Sequence, residues 1–566
     1  MLALTVLLVV SISDSGSRAG GPAQAFSRPL AAATSTVGPT SLGRPAPTAH
    51  RQVTATGSEL RIDLTWESHP SSAVLGYHVY AADRADGAFR RLTSKPVVEG
   101  VYSDFLGAND QQRWYQVVTV DRDGIESRAL DTVTARSRAL DDQDFMTSVQ
   151  LATFRYFWDF AHPQSGLVRE RSSGNLDVCA TGGTGFGLFA IMIGAERGFV
   201  TRDQAAERVH RILDFYDTKA TGYHGAFAHW IDGRTGKTVP FSTFDDGGDI
   251  VETSFLVQGL LALRQYFSHN DPQEIAIRQT ATRLWEGVEW NWYLRTPESH
   301  SLFWHWSPTH GWAMDLKVGG GFNETMITYL LAMSSPTHAI SADCYHQGWV
   351  GQGSGYVNGS DYYGYTQWVG QTQGGPLFFT HYSFIGLDPR GLKDRYCDYF
   401  ENNRNISLIN RSYCIENPGR FPGYGDLVWG LTASDGPDGY KAHAPGVDNG
   451  TIAPTAAISS MPYIPVQSLA TMRYIYQTYG AHLWGSFGFK DAFNPGRNWY
   501  SADYLAIDQG PIICMIENHR TGLCWEQFMK NSEIHGAIAK IAANLPADAG
   551  QVAGSPGATP VLAPRP

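Results

Sequence analysis

Cysteine is scarce in this chain, with six in 566 residues, and none stands in a Cys-x-x-Cys pair. That spacing excludes thiol-redox motifs and zinc ribbons. The six are Cys179, Cys344, Cys397, Cys414, Cys514 and Cys524. Cys397 with Cys414, or Cys514 with Cys524, could form a disulfide in an oxidising compartment, but spacing alone fixes no pairing, and all six are read as structural. Basic charge is also short. Lys and Arg number 43 against 54 Asp and Glu, for a net charge of -11, and no basic cluster occurs. A nucleic-acid partner is thereby excluded and anionic polymers are poor ligands. Beyond the N-terminus no apolar run is long enough to span a bilayer. His-Glu-x-x-His and Gly-x-Ser-x-Gly are both absent. The glycine-rich stretch Thr181 to Gly187 has no strand run before it and no acid at the ribose-binding distance. It therefore reads as close helix packing or a cavity wall. No cofactor and no metal is expected.

What is present falls into segments. Met1 to Val10 is a short apolar run, followed by small and polar residues and by Ala23, Gln24 and Ala25. This reads as a signal peptide over residues 1–25 and implies a periplasmic or secreted protein. Residues 26–52 and 546–566, rich in Ser, Thr, Pro, Gly and Ala, read as a disordered linker and tail. Residues 53–137 carry short alternating runs, among them Leu60 to Trp66, Gly76 to Tyr80 and Trp114 to Val120. Such runs, divided by turn residues, predict a small antiparallel β-sandwich. These segments resemble a fibronectin type III domain, a module that implies spacing or docking; its partner is unknown.

From Asp144 the period turns helical, through Phe145, Val149, Phe154 and Trp158. Further helices are predicted over residues 185–197, 203–216, 250–267, 272–290, 323–334, 466–479, 510–530 and 532–543. About a dozen helices with functional loops at their ends suit an α-helical toroid over residues 144–545. The stretch 341–464 is long and rich in Gly, Tyr and Trp, as expected of a loop that walls a cleft.

Acidic residues concentrate where helices begin. Asp245, Asp246, Asp249 and Glu252 place four carboxylates within eight positions at the mouth of an apolar helix. Asp249 and Glu252, three apart, can reach one ligand. The same spacing is also a capping box, and the segment alone leaves the two readings level. Glu324 follows Gly319 to Asn323 and opens another apolar helix, where a favourable helix-dipole interaction is the competing account. Asp508 precedes a third helix, with Glu517 two turns on. Three helix starts that each offer a carboxylate favour catalysis over capping. Trp304, Trp306 and Trp312 lie close to His300, His305 and His310. Indole faces stack on pyranose C–H faces while His, Asn and carboxylates bind hydroxyls, so a neutral sugar is the expected ligand. Core packing is the alternative for any single Trp.

Seven segments carry a family likeness: Ala152 to Phe160, Thr181 to Gly187, Asp245 to Glu252, Phe303 to Pro308, Gly321 to Glu324, His381 to Gly391 and Ile507 to Pro511. Together they resemble the glucoamylase-like domain of glycoside hydrolase family 144, the bacterial β-1,2-glucanases, over about Asp144 to Ala543. The resemblance implies a mainly α chain with an (α/α)6 barrel, inverting hydrolysis of β-1,2-glucan by endo attack, and essential acids at Asp249, Glu252 and Glu324. An exo-acting, sophorose-releasing relative and a non-catalytic glycan-binding protein are the alternatives. Asp508 matches a further carboxylate on the base side of the reaction. In a related fungal family the acid's proton travels through a substrate hydroxyl, so the relay here stays open. Asp245, Asp246, Trp304, His305, Trp306, Phe322, Asn323, His381, Tyr382 and Glu517 are the expected sugar-binding residues.

Overall fold

The structure, a computed structural model, describes residues 53–68, 74–129, 131–351 and 356–542. The expected signal peptide, the linker that follows it and the C-terminal tail lie outside the described residues. The chain divides into two compact units between Ala139 and Leu140.

In the first unit, β1 (Thr54–Ser58), β2 (Arg61–Thr65) and β5 (Val101–Phe105) form one antiparallel sheet. A second contains β3 (Val74–Ala82), β4 (Arg90–Arg91), β6 (Gln112–Asp121) and β7 (Thr132–Arg136), in the order β4-β3-β6-β7. Alternation decides the faces. Ile62 and Leu64 from β2, Tyr77, Val79 and Ala81 from β3, and Tyr115 and Val117 from β6 all enter one core with Val53 and Trp66. Burying such side chains contributes about 1.5–3 kcal/mol for each large one.

The second unit is helical: α1 (Asp142–Trp158), α2 (Thr181–Glu196), α3 (Arg202–Thr218), α4 (Ile250–Tyr266), α5 (Pro272–Glu286), α6 (Met326–Ser334), α7 (Tyr399–Glu416), α8 (Pro454–Ser459), α9 (Pro465–Leu483), α10 (Ala506–Arg520), α11 (Leu523–Met529) and α12 (Ser532–Ala542). α2, α4, α6, α8 and α10 are buried on nearly every side, whereas α3, α5, α9 and α12 each leave a face to solvent. α2, α6 and α8 are apolar or small-residue all round and α3, α5 and α12 amphipathic, so sequence pattern sorts buried from solvent-facing helices. Glycine sets the closest approach. A Cβ on Gly185 of α2 would stand 2.2 Å from the Phe255 carbonyl oxygen of α4, so the two backbones touch only because none is there. The expected helix packing at Thr181 to Gly187 is what forms.

Two segments depart from the expected elements. The helix expected over 510–530 is broken at Gly522, which adopts φ +78, and becomes α10 and α11. The stretch 341–464 is not one loop. It contains α7, α8 and the hairpin Val357–Tyr362 with Tyr365–Val369, built on a buried hydroxyl network in which Tyr345 and Tyr399 both donate to Asp394 at 2.7 Å. All six cysteines are buried free thiols, so neither disulfide is formed. Among the described residues no helix is long and apolar enough to cross a membrane.

Candidate active site

The starts of the inner helices gather the acids. Asp249 caps α4: its Oδ1 accepts the backbone N–H groups of Val251 and Glu252, both at 2.9 Å. Its Oδ2 is left for other partners, 3.1 Å from His229 Nδ1 and 3.2 Å from His305 Nε2. The cap thus uses one oxygen of the carboxylate and leaves the other to the two histidines. A short ladder aligns the second histidine, because Gly248 pairs with Trp306 and Asp249 with His305, while the Trp304 carbonyl accepts the Ile250 N–H. Asp245 Oδ2 lies 3.1 Å from His305 Nε2 and 3.7 Å from His229 Nδ1.

Two imidazoles and two carboxylates balance one another. Burial alone would lower the His229 pKa, but Glu252, Asp249 and Asp245 raise it to about 10. His305 responds in the same way to Asp249 and Asp245 and reaches about 9. Asp249 is fully buried, which would raise it, yet His305 and His229 hold it well below the usual carboxylate range. His229, Asp245 and Asp249 bring ligand atoms within 4.8 Å of one another, a spacing that a divalent cation could also use. A cation there would need neutral imidazoles, whereas the four charges already cancel as two ion pairs.

Glu252 and Glu324 are of the opposite type. Glu252 Oε2 accepts the Gly182 N–H at 2.7 Å from the first turn of α2, and Oε1 is 3.9 Å from His229 Nε2. Burial raises its pKa to about 7 against the pull of His229. Glu324 sits just before α6, its carbonyl accepting the Ser383 hydroxyl, which in turn accepts the Ile327 N–H at 3.0 Å. Burial, helped by repulsion from Glu252 and Asp249, raises Glu324 to about 7. Environment thus drives the two carboxyls apart, Glu324 up to about 7 and Asp249 well below the usual carboxylate range.

A second acidic group surrounds Asp508 in the first turn of α10. The Thr455 hydroxyl at the start of α8 donates to the Asp508 carbonyl at 2.8 Å. Burial raises the Asp508 carboxyl to about 7, with Asp491 and Arg171 opposing and Asp435 and Glu170 assisting. Tyr382 joins the two groups. Its hydroxyl is perturbed by both Asp508 and Glu324, and its ring packs against Phe186, Phe255 and Phe378 at centroid distances of 5.4, 5.8 and 5.0 Å.

A family model described as a putative glucoamylase matches residues 318–532. An exo β-1,2-glucooligosaccharide sophorohydrolase (non-reducing end) of Parabacteroides distasonis is 44% identical over 507 residues, covering 85% of this chain and 69% of the relative. The chain belongs to glycoside hydrolase family 144. Two solved structures agree with that membership. A β-1,2-glucanase of Parabacteroides distasonis matches with TM-score 0.83 at 42% identity, over 88% of this chain and 74% of its own. An endo-β-1,2-glucanase of Chitinophaga pinensis, solved with sophorotriose and glucose, matches with TM-score 0.69 at 47% identity, over 71% of this chain and 99% of its own.

Not every expected sugar ligand of this family 144 chain joins the acids. Trp304, stacked on His305 with centroids 6.0 Å apart, and Trp306, edge-on to His224 at 5.3 Å, are half-buried beside the cluster, as is Asp246. Asn323 is engaged locally, accepting from the Thr325 N–H at 3.0 Å and hydroxyl at 2.7 Å. Phe322 is a core residue, its ring 6.3 Å from Tyr399 and 6.4 Å from Trp349. His381 is buried, bonded to Ser460 at 3.2 Å and held neutral by desolvation at about 3. Glu517 is a structural ion: Arg197 grips it at 2.8 and 2.9 Å, and Gln150 donates at 2.8 Å. It lies nine residues along α10 from Asp508, about 13 Å at 1.5 Å per residue. Phe322, His381 and Glu517 are therefore corrected to packing and ion-pair roles. His229 and Asp491 were not expected. His229 is 20 residues from Asp249 with no motif around it, and Asp491 follows a short hairpin with no helix start to mark it.

Proposed function

We propose that this protein is an inverting glycoside hydrolase that cleaves β-1,2-glucan, with Glu324 as general acid and Asp508 on the base side. What supports the roles is that burial raises both Glu324 and Asp508 to about 7 while Asp249 is held low, and that Tyr382 feels the charge of both Glu324 and Asp508. Glu324 gives its proton to the departing glycosidic oxygen as the C1–O bond breaks. Asp508, ionised, takes a proton from the water whose oxygen bonds C1 from the opposite face. Inverting enzymes hold such groups roughly 6.5–9.5 Å apart, or farther where a relay intervenes. Asp249 and Glu252, fixed by His229, His305 and Gly182, orient the sugar. Trp304 and Trp306 offer apolar faces to its rings.

The alternation of buried and amphipathic helices supports an (α/α)6 barrel, and the two sheets of the first unit support a fibronectin-like sandwich. The apolar run Met1 to Val10 supports export, which suits a polymeric substrate. Endo attack was the sequence reading, and the Chitinophaga likeness supports it. Sophorose release from chain ends is the second reading. It is favoured by the sophorohydrolase, whose match extends over 85% of this chain.

Incubation with linear β-1,2-glucan, followed by product sizing and anomer analysis, tests the whole reading. Endo action gives a ladder of oligosaccharides early in the reaction, and exo action gives sophorose alone. Products first appear as the α-anomer. Binding without any reducing-end release would instead make the protein a glycan-capture module.

A further inference from the structure

Asp491 and Asp508 are 2% and 1% exposed, and their carboxyls lie within hydrogen-bonding reach of one another. Ionised carboxylates have no proton to donate, so one of the two carries it. Asp491 Oδ1 and Asp508 Oδ2 are buried and find no donor among the described residues, so a proton held by one of the two carboxyls is what would satisfy them. Asp491 is anchored from behind. Its Oδ2 accepts the Asp435 N–H at 2.6 Å, and its own N–H donates to the Asp503 carbonyl at 3.0 Å.

Two features place the negative charge on Asp508. Asp508 lies in the first turn of α10, where the helix dipole favours an anion, while Asp491 lies in an irregular segment. Arg171 favours an ionised Asp508. Its guanidinium contacts Glu170 at 3.0 Å, Asp435 at 3.4 Å and Asp503 at 3.7 Å. The other titratable groups that face the pair are Tyr382 and Tyr440.

We propose that Asp491 is a positioning residue: as a neutral acid it donates a hydrogen bond to Asp508 and fixes the carboxylate that takes the proton of the attacking water. The inference rests on Asp508 being the base, and the experiment separates the two. Asp491→Asn keeps an N–H donor and cannot ionise; Asp491→Ala has no donor. In pH–rate profiles on β-1,2-glucan, Asp491→Asn keeps kcat within about threefold of the parent, while Asp491→Ala loses roughly 10²-fold, the low end of a general-base contribution. KM stays unchanged in both. The acidic limb of Asp491→Ala moves up by about one pH unit or more as Asp508 loses its donor.

If Asp491→Asn falls as far as Asp491→Ala, Asp491 acts as an ionised group and the proposal is overturned. Two variants that both match the parent overturn it as well, leaving a packing role. Asp508→Asn distinguishes the underlying reading. Loss of turnover that azide restores with formation of an α-glycosyl azide upholds Asp508 as base, and turnover near the parent value removes it whatever Asp491 does.

Discussion

His229 Nδ1 stands 3.1 Å from Asp249 Oδ2, while the other oxygen of the same carboxylate closes the N-terminus of α4. One side chain therefore ties the buried ion pair to the helix that carries Glu252. The histidines are what make a fully buried Asp249 tolerable, since an unpaired buried charge is costly. His305, with its side chain 6% exposed, is the more deeply buried of the two. His305→Ala leaves Asp245 and Asp249 sharing His229 alone and lowers stability by about 3–5 kcal/mol, the usual cost of breaking a buried pair. Chemical denaturation of the parent and variant measures it.

The pH dependence of stability has a definite sign. Glu252, Glu324 and Asp508 have folded-state values near 7, above their ordinary ones, so the folded chain keeps protons that the unfolded chain releases. Their contribution is full at acidic pH and is lost as pH rises through 7. His229 and His305, raised to about 10 and about 9, contribute fully below 6.5 and lose that contribution through 9 to 10. Asp249, depressed, acts in the opposite sense and loses its contribution only on acidification below its ordinary range. The site therefore favours the fold at pH 5 over pH 9. Thermal melts should show Tm falling across that interval, and Glu324→Gln, which cannot ionise, should flatten the fall between pH 5 and 8.

Glu324→Gln also removes the proposed acid without adding bulk or charge. Turnover should drop roughly 10²–10⁴-fold, the range for general acid catalysis, with Tm at pH 7 equal to or above the parent's. The proposed mechanism requires Glu324 protonated and Asp508 ionised, each raised to about 7. The kcat/KM profile is then a narrow bell centred close to neutrality. A profile flat from pH 5 to 9 would contradict the assignment of both groups.

The His229, Asp245, Asp249 group yields a prediction about metals. Because His305 and His229 neutralise the two carboxylates, exhaustive chelation should leave hydrolysis unchanged, and added divalent cations should not raise it. Loss of activity on chelation, restored by one metal, would replace the ion-pair account of these residues with ligation.

How much of this was legible beforehand depends on the range of the signal. The carboxylates at helix starts were readable because a cap is a local pattern: an acid, a turn and an apolar run occupy consecutive positions. Buried helices were readable for the same reason, as α2 and α6 show by their composition. His229 was not, because its partners lie 16, 20 and 23 residues on, and only the pairing of residues 248–249 with 305–306 assembles the group. Asp491 was hidden likewise, being 17 residues from Asp508 in a segment without periodicity. The errors run the other way. Phe322 and His381 adjoin Asn323 and Tyr382 in the sequence, but neighbours along a chain point to different sides of an element, and Glu517, nine residues past Asp508, is claimed by Arg197, remote in sequence.

Two glycines on one helix separate activity from stability. A Cβ on Gly185 would meet backbone, the Phe255 carbonyl oxygen at 2.2 Å, so Gly185→Ala must push α2 away from α4. Overpacking of this kind costs about 1–3 kcal/mol, more than the roughly 1 kcal/mol that alanine gains in a helix. A Cβ on Gly182 would instead meet the Glu252 carboxylate, with Oε2 at 2.6 Å, and the Phe255 ring edge at 3.0 Å. That oxygen is the one now held by the Gly182 N–H. Gly182→Ala should therefore displace a flexible side chain at little cost to Tm while reducing kcat, and Gly185→Ala should lower Tm first. Paired melts and rate measurements on the two variants decide it, since equal effects on both quantities would mean that Glu252 has no separate part in turnover.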